Sequence, residues 1–438
     1  MEWYITIGPV ILALLMLLVL GVPIAISLAV VGIAGIFWVQ GVNGLSIIST
    51  ITYSTLANYI LTPIPLFIFM GELLVFTQVS KDAFEVINKW LGRLPGGLAV
   101  SGIGACALFA AINGSSPATT ATIGLVSVPE MLNRGYNKRL ATGSIAAGGA
   151  LGILIPPSIL MIVYGVASGT SVGQLFMAGF IPGIMLAGIM MLYIVIRCRL
   201  SPNLAPLSEH VSWSNRLRST WKILPAILLA TLVLSVIYLG IATPTEAGAI
   251  GAFGAFLLAI ISRRFTWSRM HAALLHTVTT SAFILFIVLG AHFFGYMLSH
   301  FGIPQGISET ISKWDVSRWW IMIAFNFVYL ILGCLMDPTS IILVTGPIVI
   351  PIVQNLGFDL VWFGIIFTLN MEMANITPPV GFNLYVMKGI VPENVSLTDI
   401  ILGSLPFVVL QAAALALIMI FPKIALWLPS MMKVSGVG

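Results

Sequence analysis

The residues able to do chemistry are gathered in short polar interruptions of an otherwise apolar chain. The first is Asn113-Gly114-Ser115-Ser116-Pro117-Ala118-Thr119-Thr120, where helix breakers and small oxygen-bearing side chains share eight positions. Met336-Asp337-Pro338-Thr339-Ser340 is a second break of the same kind, and Pro117 and Pro338 lie 221 residues apart. Two more are centred on Gly148-Gly149 with Pro156-Pro157, and on Asn375-Ile376-Thr377-Pro378-Pro379. In lipid no water satisfies an exposed peptide group, so such breaks survive only inside protein or beside a watery cavity. Hydroxyls and unwound carbonyls suit a hard cation such as sodium. The first turn of a half-helix offers free N–H groups and a positive dipole end to an anion. Asn113, Ser115, Ser116 and Thr119 therefore form one candidate site with carbonyls around Gly149 and Gly152. Asp337, Thr339 and Ser340 form the other, facing the break at 375–379. Ordinary kinks with satisfied polar groups are the competing reading, and four breaks in matching places speak against it.

Four acids fall within apolar spans, namely Glu72, Glu246, Asp337 and Glu372. A charge there costs at least about 2.5–3.5 kcal/mol on insertion scales, so each needs a partner or a proton. Asp337, at a break, is the best ion ligand. Glu246 follows a helix corner, where a structural lock is the simpler account, and His292 reads as a satisfied buried histidine. Cys106, Cys198 and Cys334 are isolated and read as free thiols. There is no HExxH, Walker or GxSxG sequence, and Ser115-Ser116 has no histidine nearby, so an enzyme is not indicated.

The elements that must position these residues follow from composition. The chain has 438 residues, 59% hydrophobic and only 8% charged, against about 25% charged in soluble domains. Repeated apolar runs near the roughly 20 residues that cross a bilayer make it an all-α polytopic membrane protein, with lipid as its surroundings. No basic cluster with interleaved aromatics suggests nucleic acid, and no removable signal peptide is read at Met1. The runs divide into a first repeat, 1–200, a cytoplasmic linker, 201–222, and a second repeat, 223–430. The first holds a helix pair at 5–40, an uncharged loop at 41–57, an amphipathic arm at 80–92, a hairpin at 97–131 and a broken span at 140–169. The second holds a helix pair at 223–262, an arm at 302–314, a hairpin at 318–353 and a broken span at 362–388. Trp3, Trp38, Trp314, Trp319, Trp320 and Trp427 sit near expected span ends, as an aromatic belt would.

Matching landmarks recur at offsets of about 219 to 224 residues: Gly21 with Gly240, Gly71 with Gly290, Gly135 with Gly357, and Pro182 with Pro406. With residue 1 outside, fifteen of the nineteen Lys and Arg residues fall in inner loops, leaving Lys313, Arg318, Lys423 and Lys433 outside. The positive-inside rule favours that arrangement. It puts the base of the first hairpin inside and that of the second outside, so the repeats are inverted, an architecture in which secondary transporters bind solute at the midplane.

With tips NGSSPATTATIG and MDPTSIILVTGPI, and breaks GALGILIPPSI and NITPPVGFNLYV, the chain resembles the large membrane subunit of tripartite ATP-independent periplasmic (TRAP) transporters. The resemblance covers nearly the whole chain. It implies sodium-driven import of an organic acid, such as a C4-dicarboxylate or sialic acid, across the bacterial inner membrane. It also implies an elevator-type fold, a separate small four-helix membrane subunit and a periplasmic substrate-binding protein. Sodium ions are expected, and no organic cofactor. The implied sodium sites map to Asn113, Ser115 and Ser116 with Gly149 and Gly152, and to Asp337 and Thr339 with Thr377 and Pro379. Substrate contacts are expected from Thr119, Pro156, Ser340, Asn375 and Pro378. Both termini are expected in the periplasm. A non-transporting membrane scaffold and a passive anion channel are the alternatives.

Overall fold

A computed structural model describes residues 3–206, 212–313 and 316–432; Trp314, Lys433 and linker residues 207–211 lie outside them. All the regular structure described is helical. The first half runs α1 (Trp3–Val19), α2 (Ile24–Gln40), α3 (Gly44–Leu56), α4 (Pro63–Phe76), α5 (Val79–Leu91), α6 (Gly97–Asn113), α7 (Ser116–Asn133), α8 (Lys138–Ala150), α9 (Ile159–Ser168), α10 (Val172–Leu200) and α11 (Trp213–Thr220). The second runs α12 (Leu224–Tyr238), α13 (Pro244–Ile261), α14 (Trp267–His300), α15 (Ile303–Ser312), α16 (Arg318–Gly333), α17 (Pro338–Asn355), α18 (Leu360–Asn375), α19 (Phe382–Ile390), α20 (Leu397–Ile420) and α21 (Lys423–Ser430). Six segments among the described residues are long and apolar enough to cross a bilayer. This is an all-α polytopic membrane fold.

Local chemistry explains the corners. α1 ends at Gly21, whose φ of 78° suits glycine, and the N–H groups of Gly21 and Val22 bond the carbonyls of Leu18 and Leu17. α12 ends in the same way, with Gly240 and Ile241 donating to Ile237 and Val236. α7 and α17 repeat the device at Gly135 and Gly357. Asn137 then caps α8 and Asp359 caps α18. At the start of α13, Thr243 and Glu246 form a reciprocal capping box, which is the structural lock expected for Glu246. The His292 Nδ1 lies 2.8 Å from the Val288 carbonyl, so that ring is satisfied locally.

Three expectations need correction. Residues 41–57 are not a loop, because a 3-10 turn at Gly41–Asn43 leads into α3. Ser46, Ser49, Thr50, Thr52 and Ser54 donate to carbonyls three or four residues earlier, so these polar groups are absorbed by the helix. The linker carries a short helix, α11, capped by Ser212; its Trp213 meets Trp90 of α5 edge to face at 5.9 Å. Gly148-Gly149 does not interrupt its span. α8 continues to Ala150, and the break begins at the 3-10 turn Leu151–Ile153. Those glycines serve close packing instead: a Cβ at 148 would lie 2.9 Å from Ile103 Cδ1, and one at 149 would overlap Thr120.

The helices sort into two groups. α2 packs on α14 and α4 on α13, two matching pairs that join the halves. The hairpin α6–α7 packs on α8, and α16–α17 on α18. Across the halves, α7 packs on α19 and α17 on α9. α8 also crosses α20 where Gly143 and Gly403 meet backbone to backbone, leaving no room for a Cβ on either.

Candidate functional site at the helix breaks

The hairpin tips and broken spans are tied by matching hydrogen bonds. Ile159 N–H, which opens α9, donates to the Gly114 carbonyl at the first tip at 3.4 Å. Val380 N–H, in the second break, donates to the Cys334 carbonyl at the second tip at 3.1 Å. Ile159 and Val380 are 221 residues apart. A third link joins the halves: Asn383 Nδ2 donates to Ser116 Oγ at 2.9 Å and to the Ala146 carbonyl at 3.0 Å, and Ser116 Oγ reaches Asn383 Oδ1 at 3.0 Å.

Those bonds bring four helix N-termini together. α7 and α19 run side by side in the same direction, since Ser116 meets Asn383 while Gly124, further along α7, meets Met387 and Ile390. α17 and α9 form the other pair, with Gly346 against Ala167. Each start therefore adds its free N–H groups and positive dipole end to one locus. The pairs differ in how these donors are met. α7 and α19 have no side-chain cap. α17 is capped by Asp337, whose Oδ2 accepts from Ser340 N–H at 2.9 Å and whose Oδ1 accepts from Ser340 Oγ. α9 is capped by Ser158, its Oγ 3.4 Å from Met161 N.

The site residues read from the sequence take distinct places. Asn113 is buried and has its Nδ2 unpartnered, with its Oδ1 3.2 Å from where a Cβ on Gly71 of α4 would lie. Gly152 is required by contact, since a Cβ there would sit 2.5 Å from the Ser115 carbonyl oxygen. That carbonyl accepts from both the N–H and the hydroxyl of Thr119. Thr119, Ser116 and Pro156 are sealed in the packing and face no open space in this conformation. At the second tip Asp337, Thr339, Thr377 and Pro378 are half-buried and Pro379 is exposed, whereas Ser340 and Asn375 are buried. Thr377 Oγ1 donates to the Met373 carbonyl at 2.6 Å, and Asn375 Oδ1 has no partner. Both breaks carry a cis proline peptide, Pro156-Pro157 and Pro378-Pro379. Gly149 lies inside α8 against Thr120, two residues before the break begins at Leu151. Sequence reasoning missed Asn383, the residue that joins the halves; a lone amide among apolar residues of α19 gave no sign of its partner 267 positions away.

Several other charged groups lie away from the breaks. Glu85 on α5 bonds Lys89 at 2.8 Å and Lys222 at 3.0 Å, and the Lys89 hydrogen bond in particular holds its carboxyl below the usual carboxylate range. Arg139 of α8 pairs with Asp399 of α20 at 3.3 Å, and Lys138 donates to the Asn394 carbonyl, tying the base of the first broken span to α20.

Comparison with known proteins agrees with this architecture. Residues 11–424 match the family model "Tripartite ATP-independent periplasmic transporter, DctM component". The chain is 36% identical over 436 residues to the C4-dicarboxylate TRAP transporter large permease protein DctM of Rhodobacter capsulatus, covering 96% of this chain and 98% of that one. It is 32% identical to the isethionate TRAP transporter permease protein DctMQ of Oleidesulfovibrio alaskensis, covering 94% of this chain and 64% of that protein. The crystal structure of the Alcanivorax borkumensis YdaH transporter matches with a TM-score of 0.58 at 14% identity, over 89% of each chain, a likeness of fold. The apolar spans, the paired breaks and these relatives lead to one conclusion: the chain is a transporter component rather than an enzyme, and it belongs to the DctM family of tripartite ATP-independent periplasmic transporters.

Proposed function

We propose that this permease imports a small organic acid across the bacterial inner membrane, driven by a sodium gradient. The observation that carries the reading is the convergence of the α7, α9, α17 and α19 N-termini beside breaks rich in neutral oxygens. The uncapped α7 and α19 starts suit the anionic group of the solute. The Asp337 carboxylate and the Thr339 and Thr377 oxygens suit one sodium ion, and Asn113, Ser115 and the carbonyls of the first break suit another. A carboxylate such as a C4-dicarboxylate is the favoured solute class, in keeping with the Rhodobacter relative.

The proposed movement is an elevator. Hairpins α6–α7 and α16–α17, with broken spans α8–α9 and α18–α19, form the core that slides. The tight α8–α20 crossing makes α20 travel with them. α2, α4, α13 and α14 form the frame, and α5 and α15 are the arms between. Core and frame meet on glycines, Gly71 against Asn113 and Gly295 against Pro347, small contacts suited to sliding. A small four-helix membrane subunit and a periplasmic binding protein complete the transporter. The termini are placed in the periplasm on the positive-inside argument.

The test is uptake in proteoliposomes holding the permease, its small subunit and its binding protein. Uptake should require an inward sodium gradient and stop when cysteine pairs lock core to frame. Uptake unchanged in potassium would favour a passive anion channel, and full cross-linking without loss of uptake would replace the elevator with gating at the hairpins.

A further inference from the structure

Outside the two tips, the most unusual group in the molecule is Glu372. It lies on α18, one turn before the second break, with no exposed surface. Among the described residues neither carboxyl oxygen has a hydrogen-bond partner, and three residues on, the buried Oδ1 of Asn375 also lacks one. Residues i and i+3 share a helix face, so these three oxygens lie on one side of α18, and none of them accepts a hydrogen bond. An isolated buried carboxylate is not sustainable; it neutralises or finds a cation.

Among the described residues, the elements around α18 supply no such cation: Arg318, which opens α16, reaches the Leu356 carbonyl instead. On α8 and α19, Lys138 and Lys388 bond the carbonyls of Asn394 and Val395, and Arg139 pairs with Asp399 of α20. Arg197 and Arg199 stand in the last turn of α10, and Lys423 is exposed at the start of α21. Tyr164 of α9 donates to the Leu360 carbonyl, and Tyr329 of α16 pairs with Thr345. Cys334 follows α16, and its carbonyl takes the Val380 N–H. Asp337, which caps α17, is occupied by Ser340. A hard cation draws about six or more oxygens, and this face offers three. One proton is sufficient, because a protonated carboxyl gains an O–H donor while a neighbouring amide oxygen accepts.

We propose that Glu372 is a proton-binding site of the core, distinct from both tips: its carboxyl takes a proton from water and holds it, neutral, against the Asn375 amide oxygen while α18 is packed as seen here. No bond other than O–H forms, and the core carries no net charge at this position.

Infrared spectroscopy of the full-length protein in lipid nanodiscs at neutral pH tests this without any transport assay, so its outcome is independent of the sodium-import reading. A protonated-carboxyl band that shifts in heavy water and disappears in Glu372→Gln is expected. Glu372→Gln, a neutral near-isostere, is also expected to keep uptake within about fivefold of the parent, the worth of one neutral hydrogen bond. If Glu372→Gln does not fold, Glu372→Met gives the same spectral comparison. An unchanged carboxyl band in the folded variant would overturn the assignment. So would loss of uptake in a folded Glu372→Gln together with loss of sodium-induced thermal stabilisation, which would make Glu372 a cation ligand.

Discussion

Asn383→Leu is the most informative single change, because Asn383 joins the two halves at the site. Its amide meets Ser116 Oγ at 2.9 and 3.0 Å and the Ala146 carbonyl at 3.0 Å, and both Asn383 and Ser116 are completely buried. Ala146 lies within α8, where the helix itself provides a donor for its carbonyl, so the loss falls mainly on Ser116. Leucine shares the Cγ branching of asparagine but is larger, so it leaves no cavity and adds an overpacking cost of about 1–3 kcal/mol at this fully buried position. The orphaned buried hydroxyl adds about 1–3 kcal/mol. Ser116→Ala orphans the Asn383 amide and should cost a similar amount. The double variant has neither orphan, so its loss should fall short of the sum of the single losses. Hydrogen bonds between membrane helices couple by about 0.6 kcal/mol on average and about 1.7 at most, and this fully buried pair belongs near the upper end. The assay is denaturant unfolding in mixed micelles for the parent, both single variants and the double variant. Strict additivity, or an Asn383→Leu protein as stable as its parent, would refute the claim that this bond fastens hairpin to broken span.

Three further outcomes are expected. Asp337→Ala removes both an ion ligand and the cap of α17, worth about 0.5–2 kcal/mol, whereas Asp337→Asn keeps a capping oxygen and removes only the charge; sodium-dependent uptake should be lost in both, and near-normal uptake by the asparagine variant would reduce Asp337 to a helix cap. Gly71→Leu should block uptake in a protein that stays folded and monodisperse, because the added side chain meets Asn113 where hairpin and frame pass; normal uptake would show that this contact is not a sliding surface. Glu85, through Lys89, and Asp399, through Ser396 and Arg139, are held below the ordinary carboxylate range. Their stabilisation is therefore present above that range and lost as pH falls through their lowered folded values. Thermal stability measured across acidic pH should decline less steeply in Glu85→Gln with Asp399→Asn, and an identical acid decline in that variant would contradict the assignment.

Much of this protein was legible in its residues. Apolar runs, glycine corners and cap residues act over a few positions, so the turns at Gly21, Gly135, Gly240 and Gly357 and the breaks at the proline pairs could be read directly. A fixed offset near 221 residues showed the repeat because equivalent corners need the same residue types. Local reading failed where one residue type serves two purposes. Ser and Thr at 46–54 looked like a loop, yet they satisfy themselves on their own helix, as lipid demands. Gly148-Gly149 looked like a break, yet the absence of Cβ atoms there is used by α6 and α7 to approach α8. The tertiary structure alone decided which oxygens meet. Asn383 finds Ser116 across 267 positions, Val380 finds Cys334, and Glu372 is left without a donor, because hydrogen bonds depend on distances between helices that no local pattern encodes.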